Sequence, residues 1–201
     1  FLLWISRGLG FYSWISQNID NGSWESNIEK NLKRSSSTNL GIIGMGRIGS
    51  LFAKKANYLG FNVSFYDPYQ IPGIEKVIGV KKTENFEELI SKSDLISLNC
   101  DLNKFSEDLI NESIIKKMKN GASIINTSRG KIINSVNTVF DYIEKGKLNY
   151  FATDVLREEP PSKNLIKRIK NSRILQQKVL ITPHTSFYSL DAFKEMRIKA
   201  A

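Results

Sequence analysis

Leu40-Gly41-Ile42-Ile43-Gly44-Met45-Gly46-Arg47-Ile48-Gly49 sets a short apolar run directly before three glycines spaced G-x-G-x-x-G. A helix-patterned stretch follows, and a second apolar run, Phe61-Asn62-Val63-Ser64-Phe65-Tyr66, ends at Asp67. A strand, a glycine turn, a helix and a strand tipped by an acid form the layout that binds a dinucleotide. Gly44 permits the tight turn, Gly46 lets the backbone approach a pyrophosphate, and Gly49 lets the helix pack on the strand. The helix start at Arg47 and Ile48 then points free N–H groups and a positive dipole end at the phosphates. Asp67 lies 18 residues beyond Gly49, where a carboxylate can accept both adenosine ribose hydroxyls. It would repel a 2′-phosphate, and no Arg follows in Pro68-Tyr69-Gln70, so the pattern specifies NAD(H) over NADP(H). The plainer alternative is a doubly wound domain whose glycine loop is only a turn.

Outward from this unit, strands and helices alternate. The helix over 46–59 carries Ile48, Leu51, Phe52, Ala56 and Leu59 on one face. A turn-rich loop with Pro68, Pro72 and Gly73 follows the second strand. A helix around 85–91 leads to the strand Asp94–Leu98, a helix over 111–117 to the strand Ala122–Asn126, and a helix over 135–144 stops at Gly146. Further strands are predicted near 150–153 and 179–182, and a last helix from about 190. Ahead of the glycine unit, Leu2, Leu3, Ile5, Leu9, Tyr12, Ile15 and Ile19 predict one helix from 1 to about 18. The fold class is therefore α/β, a doubly wound parallel sheet covered on both faces with right-handed crossovers.

Composition narrows the function. With 201 residues the chain suits one well-packed domain. Cys100 is its single cysteine, so no internal disulfide can form, and a reducing compartment, cytoplasmic or nuclear, is expected. No apolar run reaches membrane-spanning length. Phe1-Leu2-Leu3-Trp4-Ile5 is interrupted by Arg7 and lacks a cleavage site, so it is not read as a signal peptide, and the missing initial Met suggests a piece of something longer. The formal charge of +9 comes from scattered lysines and arginines with no interleaved aromatics, which argues against direct nucleic-acid binding.

In a parallel sheet the working residues lie past the C-terminal strand ends. His184, the only histidine, follows the apolar run Val179–Ile181 and Thr182-Pro183. Imidazole has an ordinary pKa near 6.5, which suits delivery of a proton to a carbonyl oxygen near neutrality. An acid in Asp154-Val155-Leu156-Arg157-Glu158-Glu159-Pro160 could orient it, with Glu159 and Glu158 competing and a solvated acidic loop as the alternative. Arg129, just past a buried strand, could hold a substrate carboxylate with two parallel hydrogen bonds, or could form a surface ion pair. No metal site is indicated.

Taken together, Leu40–Gly49, Tyr66-Asp67-Pro68-Tyr69, Ile125-Asn126-Thr127-Ser128-Arg129-Gly130, Asp154 with Glu159-Pro160, and Thr182-Pro183-His184 resemble the D-isomer-specific 2-hydroxyacid dehydrogenase family. The resemblance covers nearly the whole chain. It implies an NAD-dependent oxidoreductase acting on a small 2-keto or 2-hydroxy acid, with residues 1–186 as the NAD-binding domain. Within it, 1–24, including Trp24, would be a helical dimerisation arm of a homodimer, and 187–201 a helix leading back to an outer substrate domain largely missing here. It further implies Arg129 as the substrate arginine, Glu159 and His184 as the proton pair, and Asp154 as the contact to the nicotinamide amide. Cys100 to Ser106, including Asn103, would form a loop beside the cofactor, with Thr127, Ser128 and Arg129 reaching it from the next strand.

Within the family the C-terminal binding proteins, NADH-sensing transcriptional corepressors, are the most similar branch. The stretches Phe65-Tyr66-Asp67-Pro68-Tyr69, Cys100-Asp101-Leu102-Asn103 and His184-Thr185-Ser186-Phe187-Tyr188-Ser189 carry that likeness, and it implies transcription factors as partners. This chain departs from that branch in several places. Asn99 stands where many relatives have His, Phe187 replaces the usual Trp, one extra residue lies between Arg129 and Asp154, and the loop between Glu159 and His184 is longer.

Overall fold

β1 (Asn39–Ile43) is the strand from which the sheet is laid out in both directions. In the computed structural model, which describes residues 1–17 and 32–200, it pairs in parallel with β2 (Asn62–Tyr66) on one side and β4 (Leu95–Leu98) on the other. The seven-stranded order is β3-β2-β1-β4-β5-β6-β7, with β3 (Lys81–Lys82) at one edge and β5 (Ala122–Asn126), β6 (Leu148–Thr153) and β7 (Val179–Ile181) completing the other half. The chain runs outward from β1 to β3 and then returns to β4. That reversal opens a crevice beyond the C-terminal ends of β1 and β4, where open α/β sheets bind ligands.

Side chains alternate between two cores, as the two-residue period of a strand requires. Leu40, Ile42, Val63, Phe65, Ile125 and Ala152 enter one core, while Ile43, Ile96, Leu98, Ile124 and Phe151 enter the other. β5 and β6 are buried along their whole length, the pattern of central parallel strands. α7 (Val136–Glu144) covers this half with Val139, Phe140 and Ile143, each contributing about 1.5–3 kcal/mol by burial. It ends before Gly146, whose φ of +75° matches the expected glycine stop.

The structure departs from the sequence expectations in four places. α3 (Arg47–Tyr58) packs through only part of the apolar face that periodicity picks out, with Ala56 buried and Phe52 packed against the core. Gly49, Ala53 and Ala56 are the buried residues, whereas Ile48, Leu51 and Leu59 are 70%, 54% and 51% exposed. The cause is proximity, since a Cβ on Gly49 would sit 2.1 Å from the Gly44 carbonyl oxygen, so only small side chains fit beneath α3. The expected first helix is two, α1 (Leu2–Ser6) and α2 (Leu9–Gln17), because Gly8 turns the chain at φ +61°. Ile19 and Trp24, and so the far end of the proposed arm, lie outside the described residues. The turn-rich loop after β2 contains α4 (Ile74–Ile78), and the long segment before His184 contains α8 (Lys163–Asn171) and α9 (Arg173–Lys178). The remaining helices are α5 (Phe86–Lys92), α6 (Glu112–Lys117) and α10 (Leu190–Ala200).

Candidate active site

The crevice begins at the glycine turn. Gly44 has φ +91°, and a Cβ there would lie 2.5 Å from the Cys100 backbone nitrogen, so glycine is required on both counts. At Gly46, by contrast, an added Cβ would meet nothing within 4 Å. The space is open on the side a diphosphate would occupy. Helix capping points the same way. Asn85, Asn111, Ser135, Ser162 and Ser172 cap α5, α6, α7, α8 and α9 with side-chain oxygens, but α3 starts at Gly46 with no side-chain cap. Its first N–H groups, at Arg47 and Ile48, remain available to an anion.

Beside this turn lies a cavity of about 640 Å³ with mostly apolar walls, lined by Tyr66, Phe86, Cys100, Phe105 and Leu109, with Asp67 at its rim. Tyr66 and Phe86 meet edge to face with ring centres 5.6 Å apart, an ordinary separation for such pairs. A slot of this kind suits a flat base. The sequence places Tyr66 in the motif that ends at Asp67 but assigns neither it nor Phe86 to a cavity wall; the signal was Tyr66 directly before Asp67 and Phe86 directly after the Asn85 cap. Asp67 accepts Met45 N–H at 2.7 Å through Oδ2 and Tyr69 N–H at 2.9 Å through Oδ1. Each oxygen keeps one lone pair for a ribose hydroxyl. The open backbone at Gly46, the uncapped helix and this carboxylate fit NAD.

The loop after β4 forms the far wall. Asn99 N–H donates to Ile43 O at 2.7 Å, which fixes where Cys100 sits. Burial, with the Asp101 and Asp67 carboxylates nearby, pushes the Cys100 thiol up to about 11, so it stays protonated and unreactive at neutral pH. Asn103 lines the cavity, but its side-chain oxygen is occupied by the N–H groups of Phe105 (2.8 Å) and Ser106 (3.2 Å). Ser128 Oγ donates to the Cys100 carbonyl, joining this loop to the one after β5. Thr127 lies half-buried beside it.

Beyond β5, Asn126 organises the Thr127–Gly130 turn by accepting Ser128 N–H and donating to Arg129 O, both at 3.1 Å. Arg129 is exposed, and its guanidinium donates to the Ser128 carbonyl at 2.8 Å, so no ion pair occupies it among the described residues. Gly130 explains the placement of the turn. A Cβ there would stand 2.0 Å from the Leu156 backbone carbonyl, so the Arg129 turn rests directly on the strand-end loop that carries Glu159.

Asp154 and His184 are joined through the backbone. Asp154 is 3% exposed and its carboxylate accepts Thr182 Oγ1 and the N–H groups of Thr185 and Ser186, the latter two at 2.9 Å. Burial would raise its pKa, but these hydrogen bonds outweigh burial and hold it below the usual carboxylate range. His184 itself has φ +55°, an unusual conformation for a side-chain-bearing residue. It persists because His184 N–H is shared between Asp154 O (2.9 Å) and Thr182 O (3.0 Å) while Asp154 grips the next two amides.

The outcome is a defined pair. His184 Nδ1 lies 2.8 Å from Glu159 Oε2, and Glu159 Oε1 accepts Leu156 N–H at 2.8 Å. An ionised carboxylate only accepts, so Nδ1 carries the proton and Nε2 has no hydrogen-bond partner among the described residues. Burial would raise the Glu159 pKa, yet the His184 contact and the Leu156 N–H together keep it below the ordinary value. Glu158, the competing acid, is exposed and makes no bond to His184. Among the described residues no group of three or more His, Cys, Asp or Glu is placed to hold a metal ion, and no helix is long and apolar enough to cross a membrane.

Comparison with known proteins agrees with this architecture. The family described as D-isomer specific 2-hydroxyacid dehydrogenase, NAD binding domain, matches residues 4–186. D-3-phosphoglycerate dehydrogenase of Methanocaldococcus jannaschii is 31% identical over 177 residues, which is 88% of this chain and 32% of that protein. C-terminal-binding protein 1 of Caenorhabditis elegans is 32% identical over 165 residues, 81% of this chain and 22% of that protein. The crystal structure of D-lactate dehydrogenase from Aquifex aeolicus, complexed with NAD and lactic acid, matches with a TM-score of 0.81 at 27% identity, covering 99% of this chain and 61% of that one. The chain thus spans no more than about a third of these curated relatives' length.

Proposed function

The chain belongs to the D-isomer-specific 2-hydroxyacid dehydrogenase family, whose NAD-binding domain it forms, and from that membership we propose that the protein interconverts a small 2-keto acid and the D-2-hydroxy acid. The observation that carries this reading is the 2.8 Å His184–Glu159 contact past the C-terminal ends of β6 and β7. Gly44, Gly46 and Gly49 with Arg47 and Ile48 hold the diphosphate, and Asp67 holds the adenosine ribose. Cys100, Asn103, Thr127 and Ser128 flank the dinucleotide, and Asp154 faces the carboxamide while fixing the His184 turn. Bound NAD(H) supplies or accepts the hydride.

The chain's own residues do the rest. Arg129 pairs with the substrate carboxylate and places the carbonyl. His184 Nε2 gives its proton to the oxygen in reduction and takes it back in oxidation. Glu159 orients the ring through Nδ1. Residues 1–186 act as the NAD-binding domain of a homodimer, with 1–24 as the arm and 187–201 as the helix leading to a substrate domain.

Purified protein given NADH and a panel of small 2-keto acids is expected to oxidise NADH. Arg129→Ala should lower kcat/KM by roughly a thousandfold with NADH affinity nearly unchanged, since it removes a charged anchor of the substrate alone. Turnover that survives this change would overturn the anchor role.

The match to a C-terminal-binding protein favours a second reading, an NADH-sensing corepressor with residual turnover that binds transcription factors. NADH would then promote the closed, dimeric state only as far as it binds that state better. Tight NADH binding with near-background rates across the panel would select it.

A further inference from the structure

We propose that Gln70 is a positioning residue of the cofactor site, aiming the Gly46 N–H at the diphosphate by holding the opposite end of the same peptide. The inference rests on NAD binding in the crevice and concerns a residue outside the dinucleotide fingerprint. Its basis is the treatment of Met45, the middle residue of the glycine turn. Both backbone polar groups of Met45 are gripped by side chains from the loop after β2. Asp67 Oδ2 accepts its N–H at 2.7 Å, and Gln70 Nε2 donates to its carbonyl at 2.6 Å.

A trans peptide points its C=O and N–H in opposite directions. The Asp67 bond to Met45 N–H therefore turns the Gly44 carbonyl the other way, toward the close approach of Gly49. By the same stereochemistry, the Gln70 bond to Met45 O turns the Gly46 N–H away from the β2 loop. That N–H has no acceptor among the described residues, and the space beside Gly46 is open to a Cβ. The Met45 side chain is fully buried, so the residue cannot rotate freely to satisfy its carbonyl elsewhere.

Gln70 is itself fixed at both ends. Its Oε1 accepts Ile71 N–H at 3.2 Å, and its backbone carbonyl lies 3.4 Å from Lys82 Nζ on the edge strand, a lysine that also pairs with Glu84 at 2.9 Å. Anchored this way, the amide has one direction in which to donate. The peptide that faces the diphosphate is thus set before any nucleotide arrives, and pre-set donors bind more tightly because ordering costs nothing at the moment of binding.

The test compares two ligands that differ in whether they reach Gly46. Gln70→Met keeps the length of the side chain and removes the donor. By calorimetry, its dissociation constant for NAD+ should rise by roughly five- to tenfold, the value of one well-placed hydrogen bond. Adenosine, which has no diphosphate, should bind within about twofold of the unmutated protein in competition against NAD+, because its contacts to Asp67 and the aromatic slot are left in place. Unchanged NAD+ affinity in Gln70→Met would overturn the proposal. So would an equal loss for both ligands, which would mark a general collapse of the slot. Failure of the unmutated protein to bind NAD+ would instead refute the cofactor site itself.

Discussion

The glycine turn after β1 and the rim formed after β5, β6 and β7 sit at the same end of one sheet, yet they are held in opposite ways. At the turn the functional groups are backbone N–H donors, and side chains such as Asp67 and Gln70 hold the peptides from behind. At the rim the functional groups are side-chain tips, with His184 and Glu159 showing 47% and 37% side-chain exposure, and the backbone behind them is held by Asp154 and by the Gly130–Leu156 contact. An anion cradle needs fixed dipoles, which backbone supplies. Proton transfer needs a titrating group that can meet a substrate, so it needs a side chain left partly open.

The first way to break this contrast is at the rim. His184→Asn should lower turnover by roughly a thousandfold, within the range for loss of a general acid–base group. Asparagine tolerates the left-handed backbone, so NAD+ affinity and fold should persist. A variant that turns over at the original rate would remove the imidazole from the reaction.

Two glycine substitutions sharpen the contrast further. Gly130→Ala drives a Cβ against the Leu156 backbone, which cannot move as a side-chain end could, and should cost about 3 kcal/mol of stability in a denaturant melt. Gly46→Ala meets no atom of the protein and should melt normally, yet lose NAD+ affinity by about tenfold as the methyl group intrudes on the diphosphate. If Gly130→Ala melts like the unmutated protein, the rim is not braced as described. If Gly46→Ala binds NAD+ normally, the diphosphate lies elsewhere.

The smallest effect concerns pH. Glu159 is held below the ordinary carboxylate range despite burial. Its depressed folded value means that its contribution is present above the unfolded pKa and is lost as pH falls through the lower folded value. A carboxyl titration followed by NMR should place its midpoint below the ordinary value of about 4.3. A midpoint at or above that value would mean that the His184–Glu159 pair does not form in solution.

The two regions also differed in how well the sequence revealed them. Gly44 and Gly49 were legible because a positive φ and a 2.1 Å clearance leave room for glycine alone, and Gly46 because it completes their spacing and keeps the backbone open to a ligand. The packing of α3 was legible only in part for the same reason: Phe52 and Ala56 face the core as expected, but closeness to β1 selects Gly49 and Ala53 beside them over the larger Ile48 and Leu51. α8 was missed because its residues are mainly polar and none is buried, leaving the Ser162 cap as the main signal. Asp154 was visible as an acid at a strand end, but its grip on Thr182, Thr185 and Ser186 spans 28 to 32 residues and has no local signature. Gln70 acts on a residue 25 positions earlier, and a lone glutamine in a turn-rich loop gives no hint of it.

The most direct test is calorimetric titration of the unmutated protein with NAD+ and, in parallel, NADP+. The account predicts saturable binding of one NAD+ per chain, with NADP+ weaker by at least about tenfold because Asp67 repels a 2′-phosphate. No saturable heat with NAD+, or equal affinity for the two, would contradict it.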